Sequence, residues 1–306
     1  MAAQRADVFT RTLAYSGRAT NAVTVHYIGT QFSRIYTVLP CPVNNEYQQI
    51  SNHSAPGCTV GASPDGINYY FWKDLDDSNI PQSGDCVISD TFDANVYCVQ
   101  VDFSKMTDIP AYDSGSEECR KYLGKEGRGL IDPTNRTIAA TADTLWKQAG
   151  GDIICYARAC NKWAHDNIHY GNPFTGLYRI SELMKSRTGD CGNISSVFIS
   201  LLRAKGIPAR HLVLVHGNGR ENHIRAEFYA PAYGWIPADP TWGEPFFGVF
   251  AGNYIVVARG IAQTIRAHDG ENWQVDFLQT YSNWYWWLTK GSFSFTQTCT
   301  GLQIVR

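Results

Sequence analysis

One cysteine, Cys191, stands where the sequence could place a sulfur nucleophile. It follows Asp190 and opens a segment in which apolar residues recur at helical spacing over residues 194–202. Asp190 suits the N-cap of this helix, and Gly206 suits its C-terminal end. We therefore predict a helix over 191–205 with Cys191 in its first turn. Unpaired N–H groups and the positive end of the helix dipole there favour a thiolate over a thiol, and they can face a developing oxyanion.

A thiolate nucleophile also needs a base, and the base needs a group that orients it. His223 opens an alternating stretch over 223–229, which predicts a strand with His223 and Arg225 on the face opposite its apolar residues. A turn leads into a second stretch over 235–238, and Asp239 follows it. A hairpin of these strands brings Asp239 near His223, although the sequence leaves the register open.

The order and spacing of these residues resemble the transglutaminase-like superfamily of papain-like thiol enzymes, in its bacterial form with an N-terminal β domain. The residues that carry the resemblance are Arg187, Gly189, Asp190 and Cys191; Arg203, Gly206, Ile207, Pro208, Ala209 and Arg210; His223; and Gly234, Trp235, Pro237, Asp239, Pro240 and Thr241. The resemblance covers about residues 120–260.

The resemblance implies a fold and a reaction. The expected fold class is α+β, with a papain-like or transglutaminase-like core in which the helix bearing Cys191 packs on an antiparallel sheet. Cys191 would attack a carboxamide or peptide carbonyl to give a thioester, with His223 as base and then acid, and Asp239 as the orienting carboxylate. Water would complete hydrolysis of a protein or peptide substrate, including a cell-wall peptide, whereas a second amine would complete acyl transfer.

Two positions depart from the family pattern. Arg225 stands where members often have tryptophan, two residues after the histidine, and Gly192 stands where the animal cross-linking enzymes have tryptophan after the cysteine. These departures favour hydrolysis of amides or peptides over cross-linking.

Two other interpretations stay open beside this one. A domain of the same fold could keep the three residues without activity and serve as an extracellular binding or adhesion module. His165 and His169 stand four residues apart in a helical segment and superficially resemble a zinc-protease motif, but the acid between them is Asp166 and no third ligand is evident. We therefore predict no metal and no cofactor.

The segments around these residues differ in character. Residues 7–105 contain short alternating runs separated by turn signals, which predict an all-β sandwich. A polar stretch over 108–118 is a plausible linker. Helical patterns follow from Thr134 or Asn135 and from Asp152, and strand-like runs occupy 209–215, 223–229 and 235–238. The predicted domains are residues 1–112, a β-sandwich, and residues 113–306, the catalytic domain.

Charge and hydropathy exclude two classes of partner. The 306 residues carry a formal net charge of -2, so no basic surface favours nucleic acid. No apolar run reaches the ~18 residues of a membrane span. The first ten residues contain Arg5 and Asp7 and resemble no signal peptide, so an exported protein would have its leader outside this numbering.

The chain has nine cysteines, and setting Cys191 aside leaves eight. An even remainder suits disulfides in an exported protein, whether periplasmic, at the cell surface or secreted. Cys41 with Cys58 and Cys86 with Cys98 are the natural local pairs, among 105 complete pairings.

Overall fold

The structure is a computed structural model and describes residues 7–27, 31–81, 84–171, 176–219, 221–278 and 284–305. Five α-helices lie in these ranges: α1 (Glu117–Tyr122), α2 (Arg136–Gln148), α3 (Ile153–Asn167), α4 (Ile180–Ser186) and α5 (Cys191–Arg203). The strands are β1 (Phe9–Tyr27), β2 (Gln31–Cys41), β3 (Gln48–Ser54), β4 (Thr59–Ala62), β5 (Tyr69–Asp76), β6 (Gly84–Val101), β7 (His169–Tyr170), β8 (Thr188–Gly189), β9 (Ala209–His216), β10 (Asn222–Ala230), β11 (Gly234–Ala238), β12 (Val249–Ala251), β13 (Tyr254–Arg259), β14 (Gln263–Arg266), β15 (Asn272–Val275), β16 (Trp284–Lys290), β17 (Phe293–Thr300) and β18 (Gln303–Ile304).

These elements form two compact units that are interleaved along the chain. The first unit comprises residues 1–12, 98–212 and 223–251. The second comprises residues 13–97, 213–222 and 252–306. We name them the helical unit and the β unit. The domain boundary at residue 112 stays a prediction.

The β unit is built from two sheets packed face to face. One sheet has the order β6-β1-β17, with β3 on β6 and β18 on β1, and the other has the order β16-β2-β5-β4. Alternating apolar residues of both sheets meet in common clusters, such as Val25 and Cys86 from one sheet with Ile35 and Leu75 from the other. Strands from the end of the chain therefore complete a sandwich that the N-terminal strands begin.

The helical unit has α5 at its centre. α5 contacts α2, α3 and α4, and every residue from Gly192 to Arg203 is buried. An apolar stripe on one face would need only partial burial, so the helix is more enclosed than the sequence pattern indicates. Its polar residues are accommodated by local hydrogen bonds, as where the Ser200 hydroxyl donates to the Ser196 carbonyl at 2.7 Å.

Two helices of this unit begin at capping residues that the sequence offered, whereas α5 ends at Arg203, with Ala204 as its C-cap, slightly before the predicted end at Gly206. The Asn135 side chain accepts from the N–H groups of Thr137 and Ile138 at the start of α2, and the Asp152 carboxylate accepts from the Cys155 N–H at the start of α3. Such caps satisfy N–H groups that lack partners within the helix. The α+β class, with a β-rich N-terminal region and a helix-on-sheet core, is confirmed.

The disulfide prediction is wrong for this structure, in which all nine cysteines are free. Cys86 and Cys98 lie twelve residues apart on β6, a separation of ~40 Å at the usual strand rise. Cys41 and Cys58 lie at or beside strands on opposite sides of β5, and the positions they face in that strand differ by about four residues. Both separations exceed the Cα–Cα distance of a disulfide. Export loses the support of cysteine parity and stays a prediction.

No helix in the described part of the chain combines the length and the apolar character that a membrane crossing requires.

Candidate active site

The residues before Cys191 form a short, closely packed connection between β8 and α5. The Asp190 carboxylate accepts the Asn193 N–H at 3.0 Å and caps the helix, as predicted. Gly189 lies against Asn193 so closely that a Cβ on it would come within 2.5 Å of the Asn193 Cβ. The glycine of the motif is therefore required by packing, and it lets β8 turn directly into the helix.

Asn193 fixes the segment that runs along the same helix end. Its side-chain oxygen accepts the Tyr178 N–H at 2.8 Å, and its amide nitrogen donates to the Asp190 carboxylate at 2.8 Å. The side chain is completely buried. A single asparagine inside a helix gives no sequence signal for this role, and sequence reasoning missed it.

Cys191 is partly exposed at the N-terminus of α5, but its sulfur lies in a largely desolvated position. Burial, with a contribution from the Asp190 carboxylate, raises the pKa of Cys191 to about 12. The backbone N–H groups of Ile224 and Gly192 act in the opposite direction. The prediction of a resting thiolate is therefore wrong, because loss of solvation outweighs the helix dipole. The sulfur must lose its proton as it attacks.

The register of the β10–β11 hairpin decides how Asp239 meets His223. Ala226 pairs with Ala238, so the next position along places Asp239 opposite Arg225, with His223 two residues further on the same face. The Asp239 carboxylate accepts a hydrogen bond from His223 Nε2 at 2.7 Å. This contact orients the imidazole ring through Nε2. The two residues are in contact, as the hairpin predicted.

Arg225 adds a positive charge behind this pair. Its Nε lies 3.0 Å from Asp239 Oδ2, and its Nη2 donates to the Val249 carbonyl at 2.6 Å. Arg225 and Asp239 are 2% and 1% exposed. Burial tends to raise the pKa of Asp239, but Arg225, His223 and the Thr241 N–H outweigh it and hold that pKa below its usual value. Asp239 is thus ionised at neutral pH.

Arg225 was noticeable in the sequence only as a departure from the family pattern. An alternating strand leaves open whether its polar face meets solvent or protein. In the structure this face is buried, and a second ion pair lies on it, between Arg210 Nε and Glu227 Oε1 at 2.6 Å. Arg210 also lies 3.8 Å from the centre of the Trp235 ring. The motif residues Arg210 and Trp235 therefore support the sheet that carries His223.

Two further histidines contact backbone carbonyls in the segments that carry Cys191 and Asp239. His211 is completely buried, its Nε2 lies 3.3 Å from the Gly192 carbonyl, and burial lowers its pKa to about 3. It is therefore neutral beneath the first turn of α5. His165 Nδ1 lies 3.2 Å from each of the carbonyls of Pro240 and Thr241, so it holds the segment after Asp239.

The zinc interpretation of His165 and His169 does not match their placement. α3 ends at Asn167, and His169 belongs to β7, so the two rings do not share a helix face. Among the described residues, no three histidine, cysteine, aspartate or glutamate side chains form a group that could hold a metal ion.

Two exposed aromatic residues belong to segments that adjoin the site. Tyr170 pairs with Gly189 in the strand beside Cys191, and it is 67% exposed. Burial of its polar end, together with Cys191 and Asp190, raises the pKa of Tyr170. Trp242 lies in the turn after Asp239, where its N–H donates to the Asp239 carbonyl at 3.2 Å, and it is 59% exposed. Both rings are free to contact a bound chain.

Comparison with known proteins finds matches in sequence and in fold. Residues 139–240 match the sequence profile of the transglutaminase-like superfamily. An uncharacterized protein of Haemophilus influenzae is 35% identical over 75 residues, a match that covers 17% of this chain and 20% of that protein. The chain thus spans about a fifth of the length of this curated relative.

Solved structures extend the likeness to the fold. The crystal structure of a candidate cysteine protease from Cytophaga hutchinsonii aligns with a TM-score of 0.62 at 15% identity, and covers 97% of this chain and 100% of that one. The periplasmic domain of TgpA from Pseudomonas aeruginosa aligns with a TM-score of 0.40 at 16% identity, over 76% of this chain and 88% of that one. At these identities the first match establishes the fold alone.

Proposed function

We propose that the protein is a thiol-dependent hydrolase of amide or peptide bonds, a proposal that starts from the match of residues 139–240 to the transglutaminase-like superfamily. Cys191 is the nucleophile, His223 the general base and acid, and Asp239 the orienting group. The observation that carries the proposal is the 2.7 Å contact between His223 and Asp239, beside a cysteine whose sulfur meets the N–H of the residue after His223.

The first step follows from the protonation states at the site. Because burial keeps Cys191 a thiol, its proton moves to His223 as the sulfur attacks the carbonyl carbon of the substrate. The ionised Asp239 accepts from Nε2 and stabilises the imidazolium that forms. The Gly192 N–H, which contacts the Cys191 sulfur at the start of α5, is suited to stabilise the negative charge that develops on the carbonyl oxygen.

The second half of the reaction returns the proton. The imidazolium of His223 protonates the leaving amine, the C–N bond breaks, and a thioester to Cys191 is left. Water then attacks the thioester, with His223 again as base, and releases the acid. A primary amine in place of water would give acyl transfer, the lesser activity of the same site.

The substrate we propose is a protein or peptide chain. Tyr170 and Trp242 expose large apolar surfaces on segments adjoining Cys191 and Asp239, and such rings pack against peptide backbone and side chains. A small charged metabolite would need ionic groups facing outward, whereas Arg225 and Asp239 are paired and buried.

The proposal is tested by incubating wild type and Cys191→Ser with glutamine peptides, cell-wall peptides and intact proteins, while ammonia or amine release is measured. Hydroxylamine traps a thioester as a hydroxamate, which mass spectrometry detects. Cys155→Ser is the matched control, because this exposed cysteine lies on α3 outside the proposed machinery. We expect turnover with wild type and Cys155→Ser and none with Cys191→Ser. Identical behaviour of all three on every substrate would support a binding role instead.

A further inference from the structure

A second group of cysteine, histidine and aspartate lies in the β unit, in residues to which no role has been given above. Cys41 ends β2, His53 belongs to β3 and Asp90 to β6. His53 Nε2 lies 3.9 Å from Cys41 Sγ, and His53 Nδ1 lies 2.7 Å from Asp90 Oδ2. The imidazole thus bridges a thiol and a carboxylate.

A β-bulge in β3 orients the His53 side chain towards Cys41 and Asp90. Ser51 pairs with Asp93 and Ser54 with Thr91, so β3 has one residue more than β6 over this stretch. Asn52 lies in this bulge and has a left-handed backbone conformation, with a φ of +56°. A bulge redirects the side chains beside it, and His53 enters between the rings of Phe71 and Phe92, whose centroids lie 5.8 and 5.5 Å from its own.

Asp90 makes His53 a cation. The Asp90 side chain is completely buried, and its second oxygen, Oδ1, has no hydrogen-bond partner among the described residues. A buried carboxylate needs a counter-charge, and His53 is the ionisable group in contact with it. Although burial works against the charged ring, hydrogen bonds to Asp90 and Cys41 raise the pKa of His53 to about 10.

A charged His53 changes the chemistry of Cys41. An imidazolium can only donate, so its Nε2–H points at a sulfur that accepts, and a thiolate is the strongest sulfur acceptor. Cys41 Sγ also lies 3.9 Å from the Pro42 carbonyl oxygen, a weak contact. A cysteine beside a charged histidine is more reactive than an isolated one, because the imidazolium stabilises the negative charge on sulfur as it attacks.

We propose that Cys41 is a second reactive thiol, a site of covalent modification by hydroperoxides, with His53 as its activating partner and Asp90 as the charge that keeps His53 protonated. Cys41 is 7% exposed, so a reagent near the size of water suits the site better than a bulky one. The His53 side chain is 27% exposed, so the group of three residues is in contact with solvent. This proposal does not depend on the proposed hydrolase activity.

The reaction balances with these groups alone. The Cys41 thiolate attacks one oxygen of hydrogen peroxide, so an S–O bond forms as the O–O bond breaks, and sulfur loses two electrons to the peroxide. The departing hydroxide takes the proton of His53 and leaves as water. The products are a sulfenic acid on Cys41, neutral His53 and water.

The test uses reduced full-length protein and the same protein with Cys191→Ser. Each is exposed briefly to dilute hydrogen peroxide, quenched with catalase, and unfolded in dimedone, which labels sulfenic acids. Peptide mass spectrometry then gives an oxidation rate for each cysteine. Cys86 is the internal reference, since it is as buried as Cys41 and lies in the neighbouring apolar cluster. We expect Cys41 to oxidise at least about tenfold faster than Cys86.

Three variants test the cause. His53→Gln and Asp90→Asn should lower the Cys41 rate to that of Cys86, and Cys58→Ser, which alters a thiol near the same cluster, should leave it unchanged. Circular dichroism and thermal unfolding check that each variant folds. Equal rates for Cys41 and Cys86 in the wild-type protein would overturn the proposal without any variant. So would an unchanged Cys41 rate in folded His53→Gln.

Discussion

The protein contains two arrangements of the same three residue types, one in each compact unit. In the helical unit, Asp239 meets Nε2 of His223, and Cys191 stands at a helix N-terminus. In the β unit, Asp90 meets Nδ1 of His53, and Cys41 stands at the end of a strand. Residue types alone therefore do not decide what a Cys–His–Asp group does.

The difference lies in the charges and N–H groups around each histidine. The charge of Asp239 is already compensated by Arg225 and by the Thr241 N–H, so His223 is not its sole partner. Among the described residues, His53 is the side chain that forms a hydrogen bond with the Asp90 carboxylate, so His53 is held as a cation and cannot serve as a base. Backbone N–H groups meet the Cys191 sulfur, where an oxyanion can be held. Base catalysis of acyl transfer suits the first arrangement, and a reactive thiolate suits the second.

The largest expected effect distinguishes Cys191 from Cys41 by what each contributes to amide hydrolysis. Cys191→Ser should lower amide hydrolysis by at least about 10⁴-fold, because the nucleophile is lost. Cys41→Ser should leave it within about twofold, because Cys41 has no part in the proposed reaction. Steady-state assays on one peptide substrate measure both. Comparable losses in the two variants would break the distinction.

Removing Arg225 should make the first arrangement resemble the second. Arg225→Met removes a charge that helps to hold the pKa of Asp239 below its usual value, so that pKa should rise and the acid limb of kcat/KM should move to higher pH. We expect kcat to fall by about 10²-fold and the free energy of unfolding by about 3–5 kcal/mol, as for other broken buried ion pairs.

Arg225→Lys is the matched control, since it keeps the charge near Asp239 and should retain most of the wild-type pH profile. A folded Arg225→Met protein with an unchanged profile would show that Arg225 only anchors the Val249 carbonyl.

His211 should destabilise the protein in acid. An unfolded histidine binds a proton below about pH 6.5, whereas folded His211 resists it until about pH 3. The unfolded state therefore holds one more proton between these values, and the free energy of unfolding falls as pH falls, by up to about 1.4 kcal/mol per pH unit. Denaturant titrations of wild type and His211→Gln from pH 7 to pH 4 measure this slope. A parallel decline in both would assign the acid sensitivity elsewhere.

His53 should behave in the opposite sense. Its folded pKa of about 10 exceeds the unfolded value, so its stabilising contribution is complete below about pH 6.5 and is lost as pH rises through about 10. The difference in unfolding free energy between wild type and His53→Gln should shrink over pH 7–10. A difference that stays constant would show that His53 carries no proton in the folded protein at neutral pH.

The smallest effect concerns the surface beside the first site. Trp242→Ala should raise KM for a peptide about three- to tenfold with little change in kcat, because Trp242 would contact the bound chain rather than the reacting atoms. A fall in kcat alone would instead show that the turn after Asp239 had moved.

The sequence was sufficient to predict what depends on local chemistry. Asp190 and Asp152 cap helices by hydrogen bonds within three residues, and the alternation around His223 requires a strand. The β10–β11 turn follows directly, so the meeting of His223 with Asp239 was accessible as well.

What escaped prediction depends on long-range burial. Whether Arg225 faces solvent or Asp239 is decided by the strands and loops that cover it, including Val249, 24 residues further along the chain. Burial also reversed the expected ionisation of Cys191. Cys86 and Cys98 are close in sequence, but both lie on one extended strand and are too far apart for a disulfide. Neither the bulge that aims His53 nor the contact with Asp90, 37 residues away, has a signal in the sequence.

The strand order of the β unit also bears on biosynthesis. β17 pairs with β1 and β16 pairs with β2, so one edge of β1 and one edge of β2 stay unpaired until residues 284–300 have been synthesised. During translation these edges are open while the segment that carries α5 and β10 is made. Open strand edges are sites of aberrant pairing, and ribosome-bound chains ending before β16 are the forms of this protein most in need of a chaperone.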